Sequence, residues 1–179
     1  MFDNLREDWQ TYGRDPMCPG MWVMVVYRFG CWRYTIPWRL VRLPFSFAYK
    51  LAFAFVLMAT GAEVPCEAKL GRRVRIDHPQ GVVVSGDARL GDDVVLRNGV
   101  TIGLRRTGKR GSPVIGNRVD IGAGAKILGE IRIGDDSSIG ANAVVLTDVP
   151  EGSIAVGIPA VVRPRKKVDQ WREECSTVS

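Results

Sequence analysis

The chain contains one histidine, His78, and it follows Asp77 in the run Ile76-Asp77-His78-Pro79-Gln80-Gly81. An imidazole has an ordinary pKa of about 6.5, so it can take or give a proton near neutral pH. A metal held by three imidazoles is excluded with a single histidine. The four cysteines, Cys18, Cys31, Cys66 and Cys175, are scattered without a C-x-x-C pair. Neither a zinc centre nor a disulfide framework is expected, and no metal is assigned. The chemistry open to this chain is proton transfer at His78, provided that the fold turns that side chain outward.

The elements that must position it are visible as a short repeat. Aliphatic residues recur every six positions at Val84, Leu90, Leu96 and Ile102, and again at Ile115, Ile121, Ile127, Ile133, Ile139 and Val145. Glycine follows at Gly91, Gly103, Gly116, Gly122, Gly134 and Gly140, as suits turns or close backbone approach. The fifth position is small or β-branched: Ala88, Val94, Val100, Val119, Ala125, Ile131, Ser137, Ala143 and Val149. A period of six is no multiple of 3.6, and so much glycine and β-branching opposes a helix, which leaves stacked short strands. Three hexapeptides per coil make a triangular prism with two inward ladders.

Two interruptions break this frame. Val84 follows Ile76 by eight residues, and Ile115 follows Ile102 by thirteen. A solenoid accepts insertions only as loops leaving the prism. The first interruption holds His78, which is therefore expected to face outward. The second is a basic loop with Arg105, Arg106, Lys109 and Arg110.

Before the repeats, residues 1–62 read as helical, with aromatic-rich segments over Met21–Tyr34 and Trp38–Ala59, parted at Ile36-Pro37 and broken near Pro44. Leu43 to Ala62 is apolar over the roughly 20 residues that a membrane span needs, but Lys50 interrupts it. Arg33, Arg39 and Arg42 upstream would suit a helix lying on an anionic membrane face. Packing against subunit neighbours explains the same pattern and is the favoured expectation. At the other end Gly157-Ile158-Pro159 closes the prism, and a basic tail begins at Arg163. The expected organisation is a helical segment over 1–62, a β-helix over 63–162 and a basic tail over 163–179.

Composition narrows the partners. With 46% hydrophobic and 25% charged residues the 179-residue chain can build one core, and its net charge of +6 points to an anionic partner. Nucleic acid is not expected, because the aromatics cluster in the helices instead of alternating with basic residues. The start, with Asp3, Glu7 and Asp8 and no apolar run, does not resemble a secretory signal, so the expected location is the cytoplasm, or the inner membrane face for a docked form.

The run IDHPQGVVVSGDARLGDDVVLRNGVTIG, with GAGAKILGEIRIGDDSSIGANAVVLTDVPEGSIAVGIPA after it, resembles the serine acetyltransferase family and its relatives from bacterial polysaccharide gene clusters, over about Glu63 to Val162. The resemblance implies a mainly β chain, a left-handed parallel β-helix with a short N-terminal α-helical segment, working as a homotrimer with sites between adjacent prisms. It implies acetyl-CoA as co-substrate. His78 occupies the place of the family's base, which takes the proton of an acceptor hydroxyl as it attacks the thioester. Glu63, fifteen residues upstream where the family has aspartate, would orient the imidazole as in serine hydrolase triads. Asp77 resembles the family aspartate that contacts the acceptor; a turn residue bonding its own backbone is the equal alternative.

For coenzyme A, the resemblance assigns Gly103, Gly122, Ala123 and Ala141 to the pantetheine arm, and Gly157, Ile158 and Pro159 to the adenine end. Ser138 replaces a family lysine near the phosphates, so charge would come from Lys109, Arg163, Arg165 or Lys166 unless these form an ordinary solvated face. The family's R-H-P tripeptide at the end of the long loop is replaced by Gly111-Ser112-Pro113. That removes a guanidinium able to pair with a carboxylate. The favoured acceptor is therefore a saccharide hydroxyl, on an exopolysaccharide or its precursor, with serine O-acetylation in cysteine biosynthesis as the alternative.

Overall fold

In the computed structural model, residues 2–106 and 111–164 are described, the first two by backbone alone. Three helices, α1 (Phe2–Thr11), α2 (Pro19–Arg33) and α3 (Arg39–Thr60), precede strands of two to four residues. Up to Val145 each sheet collects every third strand. One holds β1 (Lys69–Leu70), β4 (Arg89–Leu90), β7 (Val114–Ile115) and β10 (Arg132–Ile133). A second holds β2 (Arg75–Asp77), β5 (Val95–Arg97), β8 (Asp120–Ile121), β11 (Ser138–Ile139), β13 (Ser153–Val156) and β14 (Val161–Pro164). The third holds β3 (Val83–Val84), β6 (Thr101–Gly103), β9 (Lys126–Leu128) and β12 (Val144–Val145).

Hexapeptide periodicity produces this arrangement because the frame residues meet across coils. Leu90 pairs with Ile115 and Ile115 with Ile133; Leu96 pairs with Ile121 and Ile121 with Ile139; Ile102 pairs with Ile127 and Ile127 with Val145. All of them are buried, as is every fifth-position residue from Ala88 to Val149. Burying one such aliphatic side chain contributes roughly 1.5–3 kcal/mol, so the two ladders carry the prism. The long loop between Ile102 and Ile115 leaves the register on either side unchanged.

One prism edge is laced by side chains. The Arg72 amide donates to Asp92 (2.8 Å), the Asp92 amide to Asn117 (2.9 Å) and the Asn117 amide to Asp135 (2.9 Å). Beside this ladder Arg73, Asp93, Arg118 and Asp136 all have left-handed φ between 54° and 58°. Arg73 holds Asp93 at 2.6 and 2.7 Å, and Arg118 holds Asp136 at 2.7 Å. These ion pairs between coils offset part of the roughly 1–2 kcal/mol that each left-handed non-glycine residue costs.

The helices dock on the first coil. Arg28 and Asp8 form a buried ion pair at 2.9 Å, and Arg28 also donates to the Gly71 carbonyl at 2.7 Å. The Tyr27 hydroxyl donates to the Ala68 carbonyl and accepts from the Leu70 amide (2.8 and 2.9 Å), covering the open side of β1. Burial pushes that phenol's pKa well above its ordinary value. At the far end β14 folds back antiparallel on β13, Ala160 donates to the Val144 carbonyl of β12, and Val149 bridges Ile133 of β10.

Two expectations are corrected. Pro44 does not break its helix: α3 runs through it, and the Leu40 carbonyl that loses its partner belongs to an exposed residue, where water can take it. Arg163 and Pro164, expected to open a tail, lie in β14 opposite Ile154 and Ser153.

Candidate active site

His78 stands where β2 ends, exposed, with a left-handed φ of 55°. The strand before it is fixed from behind. The Ile76 amide donates to the Tyr12 hydroxyl at 2.7 Å, and Gly20 of α2 lies so close that a Cβ there would come 2.0 Å from the Ile76 carbonyl oxygen. The helical segment thus sets the position of β2, and through it the position of His78. Arg75 and Asp77, alternate residues of β2, share its outward face, and the Arg75 Nε donates to the Asp77 carboxylate at 2.6 Å. Arg97, the register partner of Asp77 on β5, turns instead to Asp120 of β8.

Glu63 pairs with Val83 by a parallel bridge, donating its amide to Val82 and accepting from the Val84 amide. Its backbone is held beside the strand that follows the bulge, but its exposed carboxylate forms no hydrogen bond with His78. The expected imidazole–carboxylate pair is therefore not made within this chain: the bridge fixes the main chain of Glu63 and leaves its side chain to solvent.

The remaining assignments fall on different parts of the prism. His78, Ala123, Ala141 and Gly157 lie along one edge, where the second sheet turns into the third. Successive coils of this edge are joined by the Gly99, Gly124 and Asn142 amides donating to Gln80, Asn98 and Ala123. At roughly 4.8 Å per coil, His78 and Ala141 are separated by about 14 Å. A chain-like ligand lying on this edge would run from the imidazole towards Gly157, Ile158 and Pro159, all three exposed.

The glycines separate into two kinds. A Cβ at Gly122 would sit 2.5 Å from the Ala141 amide, so coil stacking alone demands glycine there; the same holds at Gly91, Gly116 and Gly134. Gly103 differs. The residue is buried, yet no heavy atom of the described residues lies within 4 Å of where its Cβ would be, so coil stacking does not demand glycine there. Gly103 ends β6, at the opposite edge of the third sheet from His78. Ser138 opens β11 between Asp120 and Ile154, and Arg163 lies on β14, the strand of its sheet farthest from β2. Lys109, Arg165 and Lys166 lie outside the described residues.

The end of the long loop borders a polar recess of about 430 Å³ lined by Gly111, Ser112, Asp87, Arg89, Glu130, Arg132 and Asp148 among others. The Ser112 hydroxyl bonds that of Ser85 at 3.1 Å. Gly111 has φ of 126°, and a Cβ there would come 2.6 Å from that of Glu130, so an arginine at this position would require the loop to move. The sequence reading missed this recess and Arg75. Only the i, i+2 spacing of Arg75 and Asp77 within a strand signalled that pair.

The bacterial transferase hexapeptide family (six repeats) matches residues 112–147. A serine acetyltransferase of Helicobacter pylori is 44% identical over 144 residues, 79% of this chain and 80% of that protein. One of Bacillus subtilis is 38% identical over 175 residues, 93% of this chain and 80% of that one. The crystal structure of Brucella abortus serine acetyltransferase in complex with coenzyme A is similar at a TM-score of 0.78 and 31% identity, covering 93% of this chain and 68% of that one. The chain belongs to the hexapeptide-repeat transferase family, among the relatives of the serine acetyltransferases. It is an acyltransferase that moves acetyl from acetyl-CoA to a hydroxyl. The relatives do not support the polysaccharide branch favoured from the sequence; their names favour serine although the loop tripeptide is replaced here.

Proposed function

We propose that this enzyme is a serine O-acetyltransferase that works as a homotrimer of left-handed prisms, with His78 as the base. The observation that carries the acceptor is the Arg75–Asp77 pair beside His78: two opposite charges 2.6 Å apart match the carboxylate and ammonium of an amino acid. The names of the relatives support the same acceptor. His78 takes the hydroxyl proton as the oxygen bonds the acetyl carbon; the carbon–sulfur bond breaks, and the departing sulfur receives that proton from His78. Gly103 and the Ala123–Ala141 edge leave room for the pantetheine arm, and Glu63 would orient the imidazole if a bound substrate draws the two together.

The trimer rests on geometry as well. The His78 edge and the Gly103 loop edge are different edges of one prism, so a single chain cannot fold one over the other, whereas a neighbouring prism can present its loop edge to His78. One observation favours a second reading. Gly111 and Ser112 offer no cation at the loop end, and Asp87, Glu130 and Asp148 could accept hydrogen bonds from sugar hydroxyls. Release of free coenzyme A from acetyl-CoA with L-serine or a panel of saccharides tests both. Saturable, efficient turnover with serine is expected; saturation by a saccharide alone would overturn the serine assignment.

A further inference from the structure

The helix α3 exposes an apolar stripe along its whole length. At 3.6 residues per turn, Leu40, Leu43, Phe47, Leu51, Phe55 and Met58 fall within about 60° of one line, over a helix roughly 33 Å long. They are between 57% and 82% exposed. Its two buried residues, Tyr49 and Val56, lie on the opposite side and pack towards the rest of the chain. The most apolar 18-residue window of this helix has a mean hydropathy of 1.6, yet only 11% of it is buried. An apolar recess of about 230 Å³ between Met17, Trp22, Phe55 and Ala59 continues the stripe at its C-terminal end. Exposed Trp38 stands just before the helix begins.

Charge decides what fits this face. Between Asp15 and Glu63 the chain has no acidic residue, while its basic residues there are Arg28, Arg33, Arg39, Arg42 and Lys50. Arg28 and Arg33 are buried against the first coil, whereas Arg39 and Lys50 are exposed and flank the stripe on one side. A second α3 laid antiparallel on this stripe would bring Lys50, at mid-helix, against its own kind. The prism does not offer a matching surface: its exposed large apolar residues, among those described, are Leu104, Val114, Ile158 and Val161, which form no comparable stripe.

We propose that α3 docks lengthwise on an anionic lipid bilayer, with the Phe47–Met58 part of the stripe in the acyl boundary, and Arg39, Lys50 and the Leu40 carbonyl at the hydrated headgroups. Long basic side chains on the flank of an apolar stripe reach the headgroup level while their stems stay in the apolar layer. The inference is independent of the acceptor and of His78. It is tested with the full-length protein by co-sedimentation with vesicles of mixed phosphatidylglycerol and phosphatidylcholine, against vesicles of phosphatidylcholine alone. Sedimentation is expected with the anionic vesicles and should weaken as salt rises. Arg39→Gln with Lys50→Gln should weaken it roughly 30-fold, at about fivefold per cation. Phe47→Ser with Leu51→Ser should abolish it, while the mass in solution by light scattering and acetyl transfer in lipid-free buffer stay unchanged. Absence of binding by the unaltered protein overturns the proposal. So does a fall in solution mass in the Phe47→Ser, Leu51→Ser protein, which would assign the stripe to contact between copies.

Discussion

The guanidinium of Arg75 and the carboxylate of Asp77 lie 2.6 Å apart on the outward face of β2, and the next residue is His78. An acceptor with both charges can replace this internal pair by bonding each partner separately. Arg75→Gln should therefore raise KM for L-serine by about 10–100-fold, the loss of one or two hydrogen bonds to a charged group, with kcat little changed. The comparison is with serinol, which keeps the amine and hydroxyl but lacks the carboxylate. Its KM should stay within about twofold, and an equal rise for both would mean that Arg75 acts only by holding Asp77.

Loss of the imidazole should be seen in chemistry and not in binding. His78→Ala is expected to slow acetyl transfer by roughly 10²–10⁴-fold while coenzyme A affinity by calorimetry stays nearly intact. Full turnover by a preparation shown free of contaminating enzyme would remove His78 from the mechanism.

Two glycines in the same frame should respond differently to one methyl group. Gly103→Ala meets no atom of the described residues within 4 Å, so its melting temperature should match that of the unaltered protein while KM for acetyl-CoA rises. Gly122→Ala would press a Cβ against the Ala141 amide, and it should lower the melting temperature sharply. The two measurements together separate cofactor room from coil stacking.

The Arg28–Asp8 pair is buried, at 6% and 2% exposure. Asp8→Asn leaves the guanidinium without its counter-charge and should destabilise the fold by about 3–5 kcal/mol in urea titration. Arg28→Met with Asp8→Leu removes both charges and should recover part of that loss.

Acid should act through the prism edge. Hydrogen bonds from Arg73 hold Asp93 below the usual carboxylate range, and those from Asn117 do the same for Asp135. A depressed carboxyl contributes stability that is fully present above its unfolded value of about 4 and is lost as pH falls through the folded value. The melting temperature should accordingly drop below about pH 4, and Asp93→Asn with Asp135→Asn should flatten that limb of the curve.

Much of the prism was legible because burial and period agree: Leu96, Ile121 and Ile139 share a frame in the sequence and a ladder in space. The helix break at Pro44 was misjudged because a local rule about a missing donor ignores the solvent waiting for the Leu40 carbonyl. The site was harder. Gly103 and Gly122 occupy the same frame position, yet the three-sided coil sends them to different edges, which the shared frame does not display. The Gly111 backbone, with φ of 126°, likewise turns what reads as a simple replacement into a different loop path.

Both ends of the prism are closed, by Tyr27 and Arg28 over β1, by Gly20 and Tyr12 against β2, and by β14, Ala160 and Val149 at the other end. A stack of parallel strands with bare ends would be a template for its own copies, adding prism to prism into filaments. Here the first coil is covered by helices, and at the far end the last strand, β14, runs antiparallel to its neighbour and ends at Pro164, which has no amide to donate, so parallel addition of further coils is opposed at both ends. The same caps that oppose lengthening of the coil thus favour association along the prism flanks, where His78 and Gly103 stand.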